Sequence, residues 1–232
     1  MKTIGLLGGM SWESTTIYYR IINETVRERL GPLSSAELAL YSLDFAQIDR
    51  MQRVDDWDGI ARLLADAAVR IEAAGADFLV LCANTAHKVV PKIEREIGIP
   101  LLHIADATAG EIRSAGFATV GLLGTKFTME EDFYRGRLVE RHGIEVLTPD
   151  NNERETIHRV IFEELCAGKV RDDSRAGYVK IIEGLAARGA EAVVLGCTEI
   201  PLLIGPADSP IPVFDTTAIH ARRAVEWSLE GE

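Results

Sequence analysis

Ile4-Gly5-Leu6-Leu7-Gly8-Gly9, near the start of the chain, reappears half a chain-length later as Val120-Gly121-Leu122-Leu123-Gly124-Thr125. Two further blocks recur in the same order. Gly75-Ala76-Asp77-Phe78-Leu79-Val80-Leu81-Cys82 matches Gly189-Ala190-Glu191-Ala192-Val193-Val194-Leu195-Gly196-Cys197, the second copy carrying one extra residue. Ile99-Pro100-Leu101-Leu102 returns as Ile211-Pro212-Val213-Phe214. Three blocks matched in one order point to two similar lobes, each contributing one cysteine at the same structural place.

Within each copy, short apolar runs alternate with stretches of helical periodicity. In the first copy the pattern predicts strands near 3–7, 38–43, 78–82 and 100–103, and helices near 13–29, 57–73 and 86–97. In the second it predicts strands near 118–123, 144–147, 192–196 and 212–214, with helices between. Apolar runs without strict alternation suit parallel strands buried on both faces. Gly75 and Gly189 fall where a helix ends before a strand. The expected fold class is therefore α/β, with two pseudo-symmetric lobes. Each lobe holds a mostly parallel four-stranded sheet flanked by helices, and the active site lies in the cleft between them. The first lobe spans 1–104 and the second 105–215, with the C-terminal helix 216–232 packing back on the first.

Composition bounds the function. The chain has 232 residues, 47% hydrophobic and 26% charged, which is globular and neither disordered nor collagenous. It has 25 Lys+Arg against 36 Asp+Glu, a net charge of −11 with no basic run, so no nucleic-acid partner is expected. No apolar stretch approaches the length of a membrane span, and the apolar run at the N-terminus is too short for a signal peptide. The three cysteines, Cys82, Cys166 and Cys197, are too few and odd in number for a disulfide framework. The expectation is a cytoplasmic protein acting on a small molecule, without a membrane partner.

In parallel α/β sheets, ligands bind beyond the carboxyl ends of the strands. Cys82 ends one strand and is followed by Ala83-Asn84-Thr85; Cys197 ends the matching strand and is followed by Thr198-Glu199. A thiol beside a helix N-terminus is expected to have a lowered pKa. Two such thiols in matched positions suit a two-base reaction. One thiolate removes a proton from one face of a carbon, and the other thiol delivers a proton to the opposite face. Cys166, in a helical run without a counterpart in the repeat, reads as helix packing. Gly8-Gly9-Met10-Ser11-Trp12-Glu13-Ser14-Thr15 links the first strand to the first helix; the alternative to a ligand role is a tight turn capped by Ser14 or Thr15. Its backbone N–H groups suit a substrate carboxylate, and it matches neither the dinucleotide nor the P-loop pattern. No metal-ligand spacing occurs. His87, His103, His142, His158 and His220 read as surface or packing residues, and His87 can help orient the turn after Cys82.

These motifs resemble the aspartate/glutamate racemase family over nearly the whole chain. The matching residues are Gly8-Gly9-Met10 with Ser14-Thr15, Cys82-x-Asn84-Thr85-Ala86-His87, Gly124-Thr125 and Gly196-Cys197-Thr198-Glu199. Met10-Ser11-Trp12-Glu13-Ser14-Thr15, His103-Ile104-Ala105-Asp106-Ala107-Thr108, Asp132-Phe133-Tyr134-Arg135-Gly136-Arg137-Leu138 and Val213-Phe214-Asp215-Thr216 look like its broad-specificity bacterial branch. The resemblance implies amino-acid racemisation with no cofactor, catalysed by Cys82 and Cys197, in a homodimer. By analogy with glutamate racemases, Cys82 would deprotonate the D-form and Cys197 the L-form. Met10, Ser11, Asn84, Thr85 and Thr198 would hold the substrate's carboxylate and ammonium groups. Arg50, with Gln52 beside it, would receive a side-chain carboxylate, together with Lys169 or Arg171. Isomerisation or decarboxylation of a small dicarboxylate is the alternative on the same scaffold. Relatives that decarboxylate keep one of the two cysteines, which weighs against it. A non-catalytic small-molecule binder would have no need of two acid–base groups.

Overall fold

A computed structural model describes residues 1–230 of the chain. The chain divides into two compact units, one of residues 1–104 with the segment from His220 onward, the other Ala105–Ile219.

The first unit runs β1 (Ile4–Gly8), α1 (Trp12–Leu30), β2 (Leu38–Ser42), α2 (Phe45–Arg53), α3 (Trp57–Ala73), β3 (Phe78–Leu81), α4 (Val90–Ile93) and β4 (Leu101–Leu102). Its strands form one sheet in the order β2-β1-β3-β4, every pair parallel, with Ile4 opposite both Leu38 and Phe78. The central strands β1 and β3 are buried at every residue. The reason is a core on each face. Leu7, Leu79 and Leu81 pack with Ile60, Leu64 and Ile71 of α3. The alternate residues Leu6, Phe78, Val80 and Cys82 pack with Tyr18 and Ile22 of α1, and with Ala221, Ala224 and Val225 near the C-terminus. A strand covered on both sides has no polar face to alternate with.

The second unit repeats the plan: α5 (Ile104–Ser114), β5 (Thr119–Gly124), α6 (Lys126–Glu130), α7 (Arg135–His142), β6 (Glu145–Leu147), α8 (Asn151–Glu163), α9 (Asp172–Ala187), β7 (Ala192–Gly196), β8 (Val213–Asp215) and α10 (Thr216–Leu229). The sheet order is β6-β5-β7-β8, again wholly parallel. In each sheet, therefore, the first strand of the copy lies between the second and the third. The glycines after α3 and α9 take the same left-handed conformation, φ 94° at Gly75 and 102° at Gly189, and so end equivalent helices at equivalent points. The last helix begins in the second unit and passes to the first at His220. Its expected extension to 232 includes residues 231–232, which lie outside the described residues.

Two local expectations are corrected. The helix expected over 86–97 is a 3-10 turn, Thr85–Val89, followed by the four-residue α4. Pro91 sits in the first turn of α4. It has no N–H to extend a helix begun before it. The segment after β2, with no helix expected, forms α2, capped by the Asp44 carboxylate accepting from the Ala46 N–H at 3.0 Å. Among the described residues no helix is long and apolar enough to cross a membrane.

Candidate active site

Parallel strands bring their carboxyl ends to one edge of a sheet. In the first unit the Cys82 N–H donates to Leu7 O at 2.9 Å, and the Leu43 N–H donates to Gly8 O at 3.1 Å. The turns after β1, β2 and β3 are thereby held side by side. Gly9 makes this possible. Its φ is +86°, and a Cβ there would lie 2.1 Å from Leu43 O. The cap of α1 is Ser11, whose Oγ accepts from the Ser14 N–H at 3.2 Å, so the expected cap at Ser14 or Thr15 is corrected. The Thr15 Oγ1 instead accepts the Gly9 N–H at 2.9 Å and donates to Ser11 O at 3.0 Å. The Gly9 and Ser14 N–H groups are thus already bonded within the turn, which leaves fewer of them for an anion than the glycine pattern suggested.

Met10 is buried in the same apolar cluster as Ala83, next to Cys82, and Ser11 is half-buried beside it. Asn84 is buried and Thr85 half-buried in the turn after Cys82. On α2, Arg50 is exposed and Gln52 half-buried. Cys82 itself is wholly buried, with its Sγ 3.9 Å from Val80 O among the residues that pack on α1. The turn after it is 3-10 and gives no long helix dipole. Burial pushes this thiol up, the reverse of the lowering expected from sequence.

His87 does orient this turn. Its Nδ1 lies 2.7 Å from Ala83 O, and its Nε2 accepts the Ile104 N–H at 3.2 Å. These two bonds fix the proton on Nδ1. The surface-or-packing reading of the histidines missed a cluster. The His87 ring centroid lies 4.5 Å from that of His103 and 5.9 Å from that of His220. His220 in turn takes the Tyr18 hydroxyl on Nδ1 at 2.9 Å and reaches Leu102 O through Nε2 at 2.9 Å. Burial holds His87 well below its ordinary pKa, with His103 and His220 adding to the effect, and pushes His220 down to about 4.

In the second unit Cys197 follows β7 as Cys82 follows β3. It is buried, and its Sγ donates to Glu199 Oε2 at 2.9 Å. The Thr198 Oγ1 donates to the same oxygen at 2.8 Å. Burial, then the Glu199 carboxylate, hold this thiol well above its ordinary pKa, again opposite to expectation. Lys169 and Arg171 are both exposed, on the stretch before α9 that turns at left-handed Gly168, φ 70°. Cys166 is exposed on the 3-10 turn Leu165–Ala167, so its reading as helix packing is corrected. The role of Glu199 was missed in sequence. Its signal was a carboxylate two residues after the second cysteine. Among the described residues, no group of three His, Cys, Asp or Glu is placed to hold a metal ion.

Two like-built parallel α/β units, each with a buried cysteine and polar residues directly after its third strand, define a duplicated α/β scaffold. The family model for Asp/Glu/Hydantoin racemase matches residues 7–224. The chain belongs to that family. It is 25% identical to the broad specificity amino-acid racemase RacX of Bacillus subtilis, over 97% of this chain and 98% of that protein. The crystal structure of an Asp/Glu racemase candidate from Yersinia pestis matches with TM-score 0.93 and 53% identity, covering 99% of this chain and all of that one. An aspartate racemase homologue from Pyrococcus horikoshii matches with TM-score 0.85 and 40% identity over the same shares.

Proposed function

We propose that the protein interconverts the L- and D-forms of an α-amino acid, with Cys82 and Cys197 as its two acid–base groups and no cofactor. The observation that carries this reading is equivalence. The two thiols stand at the same point of two sheets with the same strand order. In the proposed reaction one thiolate takes the Cα proton, leaving a planar carbanion. The other thiol protonates the opposite face, and no electron leaves the substrate. Two residues of one kind suit a reaction that must run equally well in both directions. Both thiols are buried. Exclusion of water from the thiols would strengthen every charge interaction at the reacting carbon.

The descriptions of RacX and of the Pyrococcus homologue support an amino acid, acidic or of broader range, as substrate. Met10, Ser11, Asn84, Thr85 and Thr198 are proposed to hold its carboxylate and ammonium groups. Arg50 beside Gln52, and Lys169 or Arg171, are proposed to receive an acidic side chain. The working form is proposed to be a homodimer, which light scattering of the purified protein tests. The activity is tested by incubating the protein, after exhaustive dialysis with chelator, with a panel of L-amino acids. Chiral chromatography should then find the D-form of at least one. Activity that appears only when pyridoxal phosphate or a metal is restored would contradict the reading.

A further inference from the structure

The two thiols are not equivalent in their surroundings. Cys82 lies among apolar side chains, and its Sγ faces the distant Val80 carbonyl at 3.9 Å. Cys197 points its proton at a carboxylate. Glu199 Oε2 takes the Sγ–H at 2.9 Å and the Thr198 Oγ1–H at 2.8 Å, with Glu199 itself 8% exposed. The thiol and the hydroxyl thus share one carboxylate oxygen, which aims both groups. An ionised carboxylate in that place has a use for a thiol proton and repels a thiolate.

We propose that Glu199 is a positioning residue for Cys197, holding its side chain aimed and its proton in place, so that Cys197 rests as the acid of the pair. The inference rests on the racemase reading for what the thiol does, though not for the hydrogen bond. No proton is transferred to Glu199 in this scheme. The Cys197 proton goes to the carbanion, Glu199 remains a carboxylate, and Cys197 regains a proton when product leaves. The other ionisable groups that face Cys197 within its unit are Cys166, on the 3-10 turn, and Tyr178 of α9. The Tyr178 hydroxyl is already donated to Ile157 O at 3.1 Å. Neither is a cation; the backbone N–H of Glu199 is the group that favours the thiolate, and burial and the Glu199 carboxylate outweigh it.

The test is the pH dependence of iodoacetamide alkylation in the whole protein, read for each cysteine peptide by mass spectrometry. In wild type the Cys197 midpoint should lie above that of exposed Cys166. Glu199→Gln keeps the shape and removes the charge. It should move the Cys197 midpoint down, raising its alkylation about tenfold or more at a pH below both midpoints, with the Cys82 midpoint unmoved. Glu199→Asp, which keeps the charge, should restore most of the wild-type midpoint and serves if the Gln variant folds poorly. An unmoved Cys197 midpoint in folded Glu199→Gln overturns the proposal, and so does an equal shift at Cys82. Turnover is not needed for this readout. The expected shift in a protein that racemises nothing would overturn the racemase reading alone. An unmoved midpoint in an active racemase would overturn the role of Glu199 alone.

Discussion

At the scale of single residues, the proposed readers of the substrate side chain and the tight strand-end turns can each be tested. Arg50 and Lys169 are exposed, so each contributes less than a buried charged hydrogen bond would until substrate covers it. Arg50→Ala or Lys169→Ala should lower kcat/KM for aspartate or glutamate by roughly tenfold and leave a neutral substrate nearly unchanged. Equal losses on both would show that neither residue reads the side chain. Gly9 offers a separate test of the fold at this scale. Gly9→Ala sets a Cβ against the Leu43 carbonyl in a left-handed conformation and should cost more than about 1–3 kcal/mol of stability. Gly110, within α5 and with nothing within 4 Å of a new Cβ, is the control. Gly110→Ala should be neutral or stabilise by about 0.5–1 kcal/mol. Thermal unfolding of the two variants measures the contrast. The two cysteines were legible in sequence because they recur in matched blocks. Their raised pKa values were not, because burial and the reach of Glu199 depend on packing that no spacing reveals.

At the scale of elements, the histidine cluster joins α1, the turn after β3, the end of β4 and the C-terminal helix of the first unit. His220 is fully buried and its pKa falls from an ordinary 6.5 to about 4. Between those values the unfolded chain binds the proton and the folded chain does not, so stability rises with pH across the window and is lost as pH falls. The loss from this one group should total roughly 3 kcal/mol. Tm measured from pH 6.5 to pH 4 should fall in wild type and fall less in His220→Gln. An equally steep fall in the variant would contradict the assignment. The elements themselves were legible where period and punctuation agreed, as for α3 before Gly75. They were misread where one residue decided the outcome: Pro91 cut the helix expected over 86–97. In α2 the apolar residues Phe45, Ile48 and Met51 cover too few turns to stand out, and only Ile48 is buried.

For the whole molecule, duplication would account for two like residues serving the proposed reaction, and it was visible in the sequence partly because the strand-end glycines have no room for a side chain: a Cβ would lie 2.5 Å from Thr15 Cγ2 at Gly8 and 2.9 Å from Gly196 O at Gly124. In the proposed reaction turnover needs one thiol and one thiolate, so kcat/KM should be bell-shaped in pH, its limbs belonging to the coupled pair. Both thiols are raised, which places the maximum on the alkaline side of neutrality. A maximum below about pH 7, the lower reach of ordinary thiol behaviour, would contradict this. The central claim is that two thiols work on opposite faces of one carbon, and proton exchange in deuterated water tests it most directly. At low conversion, wild-type enzyme should place solvent deuterium on Cα of the product enantiomer while the remaining substrate keeps its hydrogen. Cys82→Ser and Cys197→Ser should each lose nearly all racemisation, each retaining at most exchange of one enantiomer, and Cys166→Ser should behave as wild type. Near-normal racemisation by Cys197→Ser, or product that keeps the substrate's own hydrogen, would contradict the account.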